Sequence, residues 1–363
     1  MKKYSKIFIS VSAIACFITF YACKVEKEPV DIVSNQLVLN NLADNFALPA
    51  FEELENNARL LNNTLKGLKS DPTKITQAKE NWKNLALAWN KAKVFEAGPI
   101  GNNLYHLILD EKAKTQKIES ILKANEAINS DFIIKTPNYA KSLEALEYLI
   151  FSSHDTNLLE KKANYMIAVS EEILNIATKV NTEWKTEYAT IFKNEKSREI
   201  NSSLSKLTNK MLEMMHTIRD ERIGLPLGSR NNSVPQPDSA IRYSNFGNQL
   251  LVSEINALES VFTGNTSTNN NGKGLDDLMN LSTAGGNIDN GKNVLASDSL
   301  KYYFASLKSK VTKLSKPINE SVITDNKEME DIYKISKRTL VFLYTDMMSQ
   351  LDIRVIFSDS DGD

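Results

Sequence analysis

The residues best suited to chemistry are two glutamates in the segment Tyr139–Phe151. Glu144 and Glu147 are three residues apart, which places both carboxylates on one face of a helix. Apolar residues surround them, and two carboxylates beside an apolar stripe raise one another's pKa unless a cation lies between them. A hard cation held by oxygen ligands would meet that need, so Glu144 and Glu147 are candidate metal ligands. The spacing also fits two solvated glutamates on the polar side of the helix.

Further charged residues lie beside two Pro-containing turns. Glu96 precedes Gly98-Pro99 and is a candidate third carboxylate for the same site. Arg222 precedes the turn Gly224–Gly228 and is a candidate to neutralise these carboxylates or to bind an acidic ligand. The simpler interpretation of Arg222 is a charge that complements the dipole at a helix end.

Known catalytic patterns are missing from the sequence. There is no His-Glu-x-x-His pair, because His106, His154 and His216 are far apart, and there is no Gly-x-Ser-x-Gly elbow. The two cysteines, Cys16 and Cys23, are both near the N-terminus, which excludes a zinc site built from several cysteines. The sequence therefore favours a binding protein without enzymatic activity. A metallopeptidase is the competing class, and an interaction scaffold with a degenerate site is the third.

The N-terminus has the pattern of a lipoprotein signal peptide. Basic residues precede an uncharged run from Ile7 to Tyr21, which is shorter than the roughly 20 residues that span a bilayer. The run ends in Ala22-Cys23, directly before a charged segment, as in a lipobox. We expect residues 1–22 to be removed and Cys23 to carry the lipid. The alternative is an ordinary cleaved signal followed by an incidental cysteine.

Composition points to an all-α protein. The chain has 363 residues, few Gly and Pro, and a formal net charge of −1. Its charges are evenly mixed and form no basic stripe, which argues against nucleic acid as a partner. Leu, Lys, Glu and Ala dominate, and no convincing alternation of the strand type is visible. The sequence therefore predicts a fold made of helices.

Helical periodicity divides the chain into two predicted bundles. The clearest helix covers about 75–92, after Asp71-Pro72, with Trp82 and Trp89 on its buried face. Other predicted helices include 34–68, 115–129, 139–151, 156–192, 201–223, 238–262 and 317–352, and a polar loop is predicted at 284–293. A Pro- and Asn-rich stretch, 225–237, is the predicted connection between domains. The predicted organisation is a signal peptide at 1–22, a tether at 23–33, and helical bundles at 34–224 and 238–363.

The two predicted bundles contain a short repeated sequence pattern. Pro99-Ile-Gly101 precedes the segment Ala145–Phe151, and Pro226-Leu-Gly228 precedes a similar segment, Ala257–Phe262. The order is the same in both halves. This favours two bundles related by internal duplication.

Several of these segments resemble the imelysin-like family. Ala145–Phe151 is similar to the core signature of the family, and Trp89–Gly101 and Asp220–Gly228 are similar to its segments around Gly-Pro and Gly-Leu-Pro-Leu-Gly. Tyr243-Ser244 and Gly274–Leu278 follow in the family's order. The resemblance covers roughly residues 34–363, and the acidic tail resembles those of lipoprotein members from Bacteroidetes.

The resemblance implies an exported helical protein with a metal or ligand site. Members have been described as peptidases, as iron-regulated proteins and as a periplasmic component of ferrous-iron uptake. The family signature is Gly-x-His-x-x-Glu, and here Ser142 and Glu144 stand where the family has Gly and His, so only Glu147 is kept. The resemblance makes Glu96, Pro99, Ser142 and Arg222 candidate ligand-binding residues. The lost imidazole shifts the preference toward harder cations or marks a site that has lost its metal.

These features predict the location of the protein, its ligand and its partners. The lipid on Cys23 makes the membrane a partner and places the protein in the cell envelope, at the outer membrane on its periplasmic or surface side. The expected ligand is a small molecule or a metal ion, with a divalent cation or iron as the expected cofactor. The family resemblance implies envelope uptake proteins as further partners.

Overall fold

The structure is a computed structural model that describes residues 30–153, 159–229, 234–240, 242–266, 268–269, 271–281, 287–289 and 292–356. The signal peptide, Cys23 and the acidic tail lie outside the described residues. Helices form nearly all of the secondary structure, which confirms the predicted all-α class. Among the described residues, no helix is both long enough and apolar enough to cross a membrane.

The first half of the chain extends to Thr217, and its described part is built from helices. Its helices are α1 (Val30–Leu42), α2 (Leu48–Gly67), α3 (Ile75–Ala92), α4 (Pro99–Asn102), α5 (His106–Leu109), α6 (Thr115–Lys123), α7 (Ser130–Lys135), α8 (Leu143–Phe151), α9 (Leu159–Glu183), α10 (Ala189–Asn194) and α11 (Ser203–Thr217). π-helical turns at Ala43–Ala47 and Trp184–Tyr188 join α1 to α2 and α9 to α10.

The second half begins after a π-helical turn at Ile218–Gly224. Its elements are α12 (Leu225–Leu227), α13 (Gly247–Thr263), α14 (Leu275–Leu281), β1 (Asn287–Asp289), β2 (Lys292–Val294), α15 (Ala296–Thr312), α16 (Ile318–Thr324), α17 (Asn326–Val341) and α18 (Met348–Gln350). The turn Phe342–Met347 connects α17 to α18.

Helix α3 forms where its sequence predicts. The Asp71 carboxylate accepts a hydrogen bond from the Thr73 amide at 3.1 Å, and Pro72 occupies the first position of the turn that leads into the helix. Trp82 and Trp89 are both buried, at 1% and 3% exposure, because they lie on the stripe that faces the core. The prediction of an amphipathic helix at 75–92 is confirmed.

The two halves share one core. In the first half α2 packs against α3 and α9, in the second α15 packs against α13 and α17, and α3 packs against α13 across the halves. The buried apolar side chains form a single continuous cluster. Trp184 is one of its largest members and stacks on Phe51 with ring centroids 5.0 Å apart. The α3–α13 contact is therefore one of the contacts that join the halves.

Three predicted helices are shorter than expected. The helix predicted at 238–262 begins only at Gly247, because Phe246 before it has backbone angles of φ −108° and ψ 12°. The helix predicted at 115–129 ends at Lys123, because the Asn129 side chain accepts a hydrogen bond from the Phe132 amide and caps a new helix, α7. The helix predicted at 317–352 is broken at Asp325, whose backbone angles are φ −126° and ψ 40°. Asp325 makes no side-chain cap, but the Asn326 side chain donates to the Val322 carbonyl at 3.3 Å, a local hydrogen bond of the kind that competes with a continuing helix.

The prediction of a plain polar loop at 284–293 was wrong in part. Strands β1 and β2 pair antiparallel there, with Asn287 opposite Val294 and Asp289 opposite Lys292. The sequence between them is Asn290-Gly291, a dipeptide typical of two-residue hairpin turns. Three residues on each strand are too few for a visible alternation, so only the turn signal pointed to the hairpin.

Candidate functional site

Helix α8 begins beside α3, and a serine caps it. Ser142 Oγ accepts a hydrogen bond from the Ala145 amide at 3.1 Å. The indole Nε1 of Trp82 donates to the Leu143 carbonyl at 3.0 Å and attaches the start of α8 to α3. Ser142 therefore positions the helix that carries the two candidate glutamates.

Arg242 lies between those two glutamates. Its Nη1 donates a hydrogen bond to Glu144 Oε2 at 2.7 Å and to Glu147 Oε2 at 3.4 Å. The other oxygen of Glu147, Oε1, accepts from the Ser244 amide at 3.0 Å and from the Ser244 hydroxyl at 2.5 Å. The guanidinium thus supplies the cation that two neighbouring carboxylates need, and the carboxylates do share one helix face.

Burial dominates the ionisation of Glu147. Its side chain is fully buried, and this burial raises the pKa of the carboxyl above its ordinary value. The charge of Arg242 and the two hydrogen bonds from Ser244 lower that pKa, but by less than burial raises it. The neighbouring Glu144 adds a further increase. The Glu147 carboxyl therefore releases its proton at a higher pH than an ordinary glutamate does.

Two tyrosines brace the segment that carries Arg242 and Ser244. The rings of Tyr148 and Tyr243 meet edge to face, with centroids 4.8 Å apart. The Tyr148 hydroxyl donates to Glu119 at 2.7 Å, which holds its ring against this segment. The loop before α13 is in this way attached to α8 by both polar and aromatic contacts.

A second charged cluster joins the two halves nearby. Lys93, which follows α3, forms an ion pair with Glu254 of α13, and its Nζ lies 3.8 Å from Asp110 Oδ2. The indole Nε1 of Trp89 donates to Asp110 Oδ1 at 3.2 Å. Here the first half contributes the lysine and the second half the glutamate, whereas at Glu147 the second half contributes the arginine.

Arg222 connects this cluster to the first one. Its Nη2 lies 3.5 Å from Glu254 Oε1, and Glu254, Asp110 and Glu144 together raise its pKa. Burial opposes ionisation of Glu254, but Lys93 and Arg222 outweigh it and hold the pKa of Glu254 below its ordinary value. Positive and negative side chains therefore alternate from one cluster to the other.

A cavity of about 270 Å³ separates the two clusters. Helices α3 and α13, the start of α8, the turn after α11 and the segment before α13 form its wall. The apolar part of the wall is Trp82, Ala86, Trp89, Leu109, Leu143, Ala240, Leu250, Leu251 and Ile318. The charged part is Asp110, Glu111, Lys112, Glu144, Glu221, Arg222, Arg242 and Glu254. Such a concave site with converging polar groups is typical of ligand pockets.

Comparison with known proteins places this site in a family. The family model of imelysin, which bears the name of a peptidase family, matches residues 47–335. The chain belongs to the imelysin family. A comparison with curated proteins found no match.

Two solved structures share the imelysin fold with this chain. One is an imelysin-like protein from Psychrobacter arcticum, with a TM-score of 0.72, 14% identity, and coverage of 91% of this chain and 99% of the other. The second, from Parabacteroides distasonis, is provisionally named an iron-regulated protein A precursor, with the same TM-score and identity and coverage of 90% and 97%. At this identity the likeness shows the fold alone.

The predicted site residues of this imelysin fall into two groups. Glu144 and Arg222 line the cavity, and Glu147 lies behind it, bound to Arg242. Glu96 faces other partners, because it pairs with Lys210 and its Oε1 lies 3.1 Å from His106 Nδ1. Ser142 and Pro99 are placed at the starts of α8 and α4, where they shape the backbone.

Sequence reasoning missed four residues of this imelysin site. Arg242, Glu254, Lys93 and Asp110 are far apart in the chain and carry no motif of their own. Arg242 stands next to Tyr243-Ser244, which the family resemblance already singled out, so its position was the one available signal. The others become neighbours only when α3 packs against α13.

The donor set of this imelysin does not fit the metal that the family resemblance implies. Glu147 Oε1 already accepts two hydrogen bonds from Ser244, and the guanidinium of Arg242 fills the space between the glutamates. Among the described residues, no three His, Cys, Asp or Glu side chains are grouped to hold an ion. A metal at Glu144 and Glu147 would have to displace Arg242 first.

Proposed function

We propose that the protein is a ligand-binding protein of the cell envelope that holds a small charged molecule between its two helical bundles. The observation that carries this proposal is the cavity, because both halves wall it and charged groups of both signs converge on it. At about 270 Å³ it is slightly smaller than the roughly 300 Å³ at which pockets for drug-sized ligands begin. The ligand is therefore larger than a bare ion and smaller than a typical drug.

Arg242 has the electrostatic role that a bound cation would have in a family member with the complete signature. It neutralises Glu144 and Glu147 from within the chain, and in this proposal the Glu144–Glu147 pair forms one wall of the pocket and is no metal centre. The link to iron comes from the family and from the name of the Parabacteroides neighbour. We extend it to this chain as a ligand handled by an iron-linked uptake system.

Membrane attachment is part of the same proposal. A lipid on Cys23 would hold the two bundles at the outer membrane, with the tether 24–33 between the lipid and the first helix. An exported protein in this position can collect a solute and pass it to envelope uptake proteins. The name of the Parabacteroides neighbour, a precursor, is consistent with export in the family.

Native mass spectrometry of the full chain in detergent tests the ligand proposal. The chain is incubated with the low-molecular-mass fraction of a bacterial culture, grown with and without iron. We expect a small-molecule adduct that is lost in Arg222→Gln and kept in the control Arg59→Gln, an exposed arginine on α2. Absence of any adduct would contradict the proposal. Cleavage of unfolded protein that is abolished by Glu147→Gln would support the competing peptidase instead.

A further inference from the structure

Several polar atoms in the cavity wall have hydrogen-bonding capacity left over. Glu254 is buried at 5% exposure, and its Oε2 has no hydrogen-bond partner among the described residues. A buried carboxylate oxygen without a partner loses hydration that nothing replaces. Glu254 is therefore a residue of the cavity wall with acceptor capacity that the chain does not use.

The two arginines of the cavity wall have N–H groups that their ion pairs do not use. A guanidinium has five N–H groups in a planar fork. Within the described part of the chain, Arg242 uses Nη1 for both of its contacts, with Glu144 and Glu147, so Nη2 and Nε have no partner there. Arg222 reaches Glu254 with Nη2 at 3.5 Å, and its other nitrogens bind no described residue. Arginines with open N–H edges are well suited to bind a carboxylate with two parallel hydrogen bonds.

The spare donors and the spare acceptor are close together. Arg222, Arg242 and Glu254 line the same cavity, together with Glu144, which binds Arg242 directly. Glu254 is next to Arg222 on the other side. A ligand that satisfies both arginines and Glu254 must carry a negative group and a positive group separated by only a few bonds.

The rest of the wall suits an uncharged body of modest size. Leu250 and Leu251 of α13 and the indoles of Trp82 and Trp89 on α3 form the apolar side of the cavity. This surface can cover a short side chain while the charged groups meet the polar side.

We propose that the cavity binds a small zwitterion of the amino-acid or dipeptide type, with its carboxylate on Arg222 and Arg242 and its ammonium on Glu254. This inference rests on the proposed function and names the chemical class of its ligand. A ligand with only a negative group would leave Glu254 Oε2 without a hydrogen bond, and one with only a positive group would leave the remaining N–H groups of the two arginines unused. The zwitterion satisfies both sets at once.

Calorimetric titration of the full chain in detergent tests this assignment. The probes are free leucine, glutamate and lysine, the dipeptide Ala-Leu, and two analogues of leucine: the amide, which lacks the carboxylate, and N-acetylleucine, which lacks the ammonium. We expect at least one zwitterion to bind, and removal of either charge to weaken binding by about 10-fold or more. Comparison of the free amino acids with Ala-Leu shows whether the cavity prefers an amino acid or a dipeptide.

Variants assign each charge to its partner. Arg222→Gln should weaken zwitterion and N-acetylleucine binding but leave amide binding unchanged, and Glu254→Gln should do the reverse. Because Glu254 is buried beside Lys93 and its variant can lose stability, the Tm of each variant is measured beside its affinity, and Arg59→Gln is the control. Equal binding of leucine and an analogue, or equal binding by Arg222→Gln and wild type, overturns the assignment.

The outcomes also distinguish the zwitterion assignment from the proposed ligand-binding function. If no zwitterion binds but an adduct from the culture fraction does, the zwitterion class is wrong and the ligand-binding function stands. If neither the zwitterions nor the culture fraction gives an adduct, both are wrong.

Discussion

Lys93 and Glu254 form an ion pair that joins the two halves of the protein, with side chains that are only 5% and 6% exposed. Lys93 follows α3 and Glu254 lies on α13, so the pair is at a contact between the two halves. A buried pair is costly to form because both charges lose water, and costly to break because the remaining charge is left without a partner. We therefore expect the loss of one partner to destabilise the protein more than the loss of both.

A double-mutant cycle should show this behaviour. We expect Glu254→Leu alone to lower the free energy of unfolding by about 3–5 kcal/mol, because Lys93 and Arg222 stay buried with one fewer anion. Adding Lys93→Met should recover a large part of that loss. Urea unfolding followed by circular dichroism measures the four chains. Strictly additive losses would contradict a direct coupling between the two side chains.

The pH dependence of stability should differ in sign between Glu254 and Glu147. Lys93 and Arg222 depress the pKa of Glu254, so its stabilising contribution is present above the ordinary glutamate pKa of about 4.3 and is lost as the pH falls through the depressed value. The pKa of Glu147 is raised, so the folded state holds that proton more tightly, and stability falls as the pH rises from about 4.3 toward the raised value.

Glu147→Gln isolates the second effect, because the amide resembles the protonated carboxyl. We expect its free energy of unfolding relative to wild type to increase as the pH is raised above about 4.3. Chemical unfolding at a series of pH values measures the difference, and Glu80→Gln, at an exposed position on α3, is the control. A difference that is flat or declines with pH would contradict a raised pKa.

Removal of Arg242 should destabilise the protein and allow an added metal cation to stabilise it. Arg242→Ala leaves Glu147 buried without its counter-charge, with an expected loss of about 3–5 kcal/mol. In thermal melts, we expect added Zn²⁺ or Fe²⁺ to raise the Tm of Arg242→Ala and to leave that of wild type unchanged. An increase in the wild-type Tm that disappears in Glu144→Gln would instead establish a metal at the glutamate pair.

Substitution of Ser142 should report a helix cap and not a ligand contact. Ser142→Ala removes the acceptor for the Ala145 amide, with an expected loss of about 1 kcal/mol. Ser142→Gly, the residue of the family signature, should lose only roughly a few tenths of a kcal/mol. Thermal unfolding measures both, and binding of the cavity ligand should be unchanged in Ser142→Gly. A large loss of ligand binding there would show that the serine contacts the ligand.

Cys23→Ala should release the protein from membranes without unfolding it. The reason is that the acyl chains on Cys23, and not a membrane-spanning helix, would provide attachment. Fractionation of expressing cells, together with the molecular mass of the N-terminus, measures the result. A mutant that is processed normally and stays in the membrane fraction would contradict the lipid anchor.

Local signals in the sequence account for much of the fold. Asp71-Pro72 and the stripe through Trp82 and Trp89 predicted α3 correctly, because caps and helical periodicity act within a few residues. Breaks caused by single polar residues were harder to predict. Asn129 starts a helix through a side-chain hydrogen bond, whereas Asp325 stands between two helices without a side-chain cap.

The sequence by itself indicated the helices, the imelysin family and a shared face for Glu144 and Glu147, and left open whether the two glutamates are solvated or share a cation. Only the tertiary structure decided which cation that is. Arg242 is 95 positions from Glu147, and Lys93 is 161 from Glu254, so no local pattern connects them. Packing of the two halves brings one member of each pair, Arg242 and Glu254, into the wall of one cavity, because burial of the apolar helix faces fixes where the polar residues beside them meet.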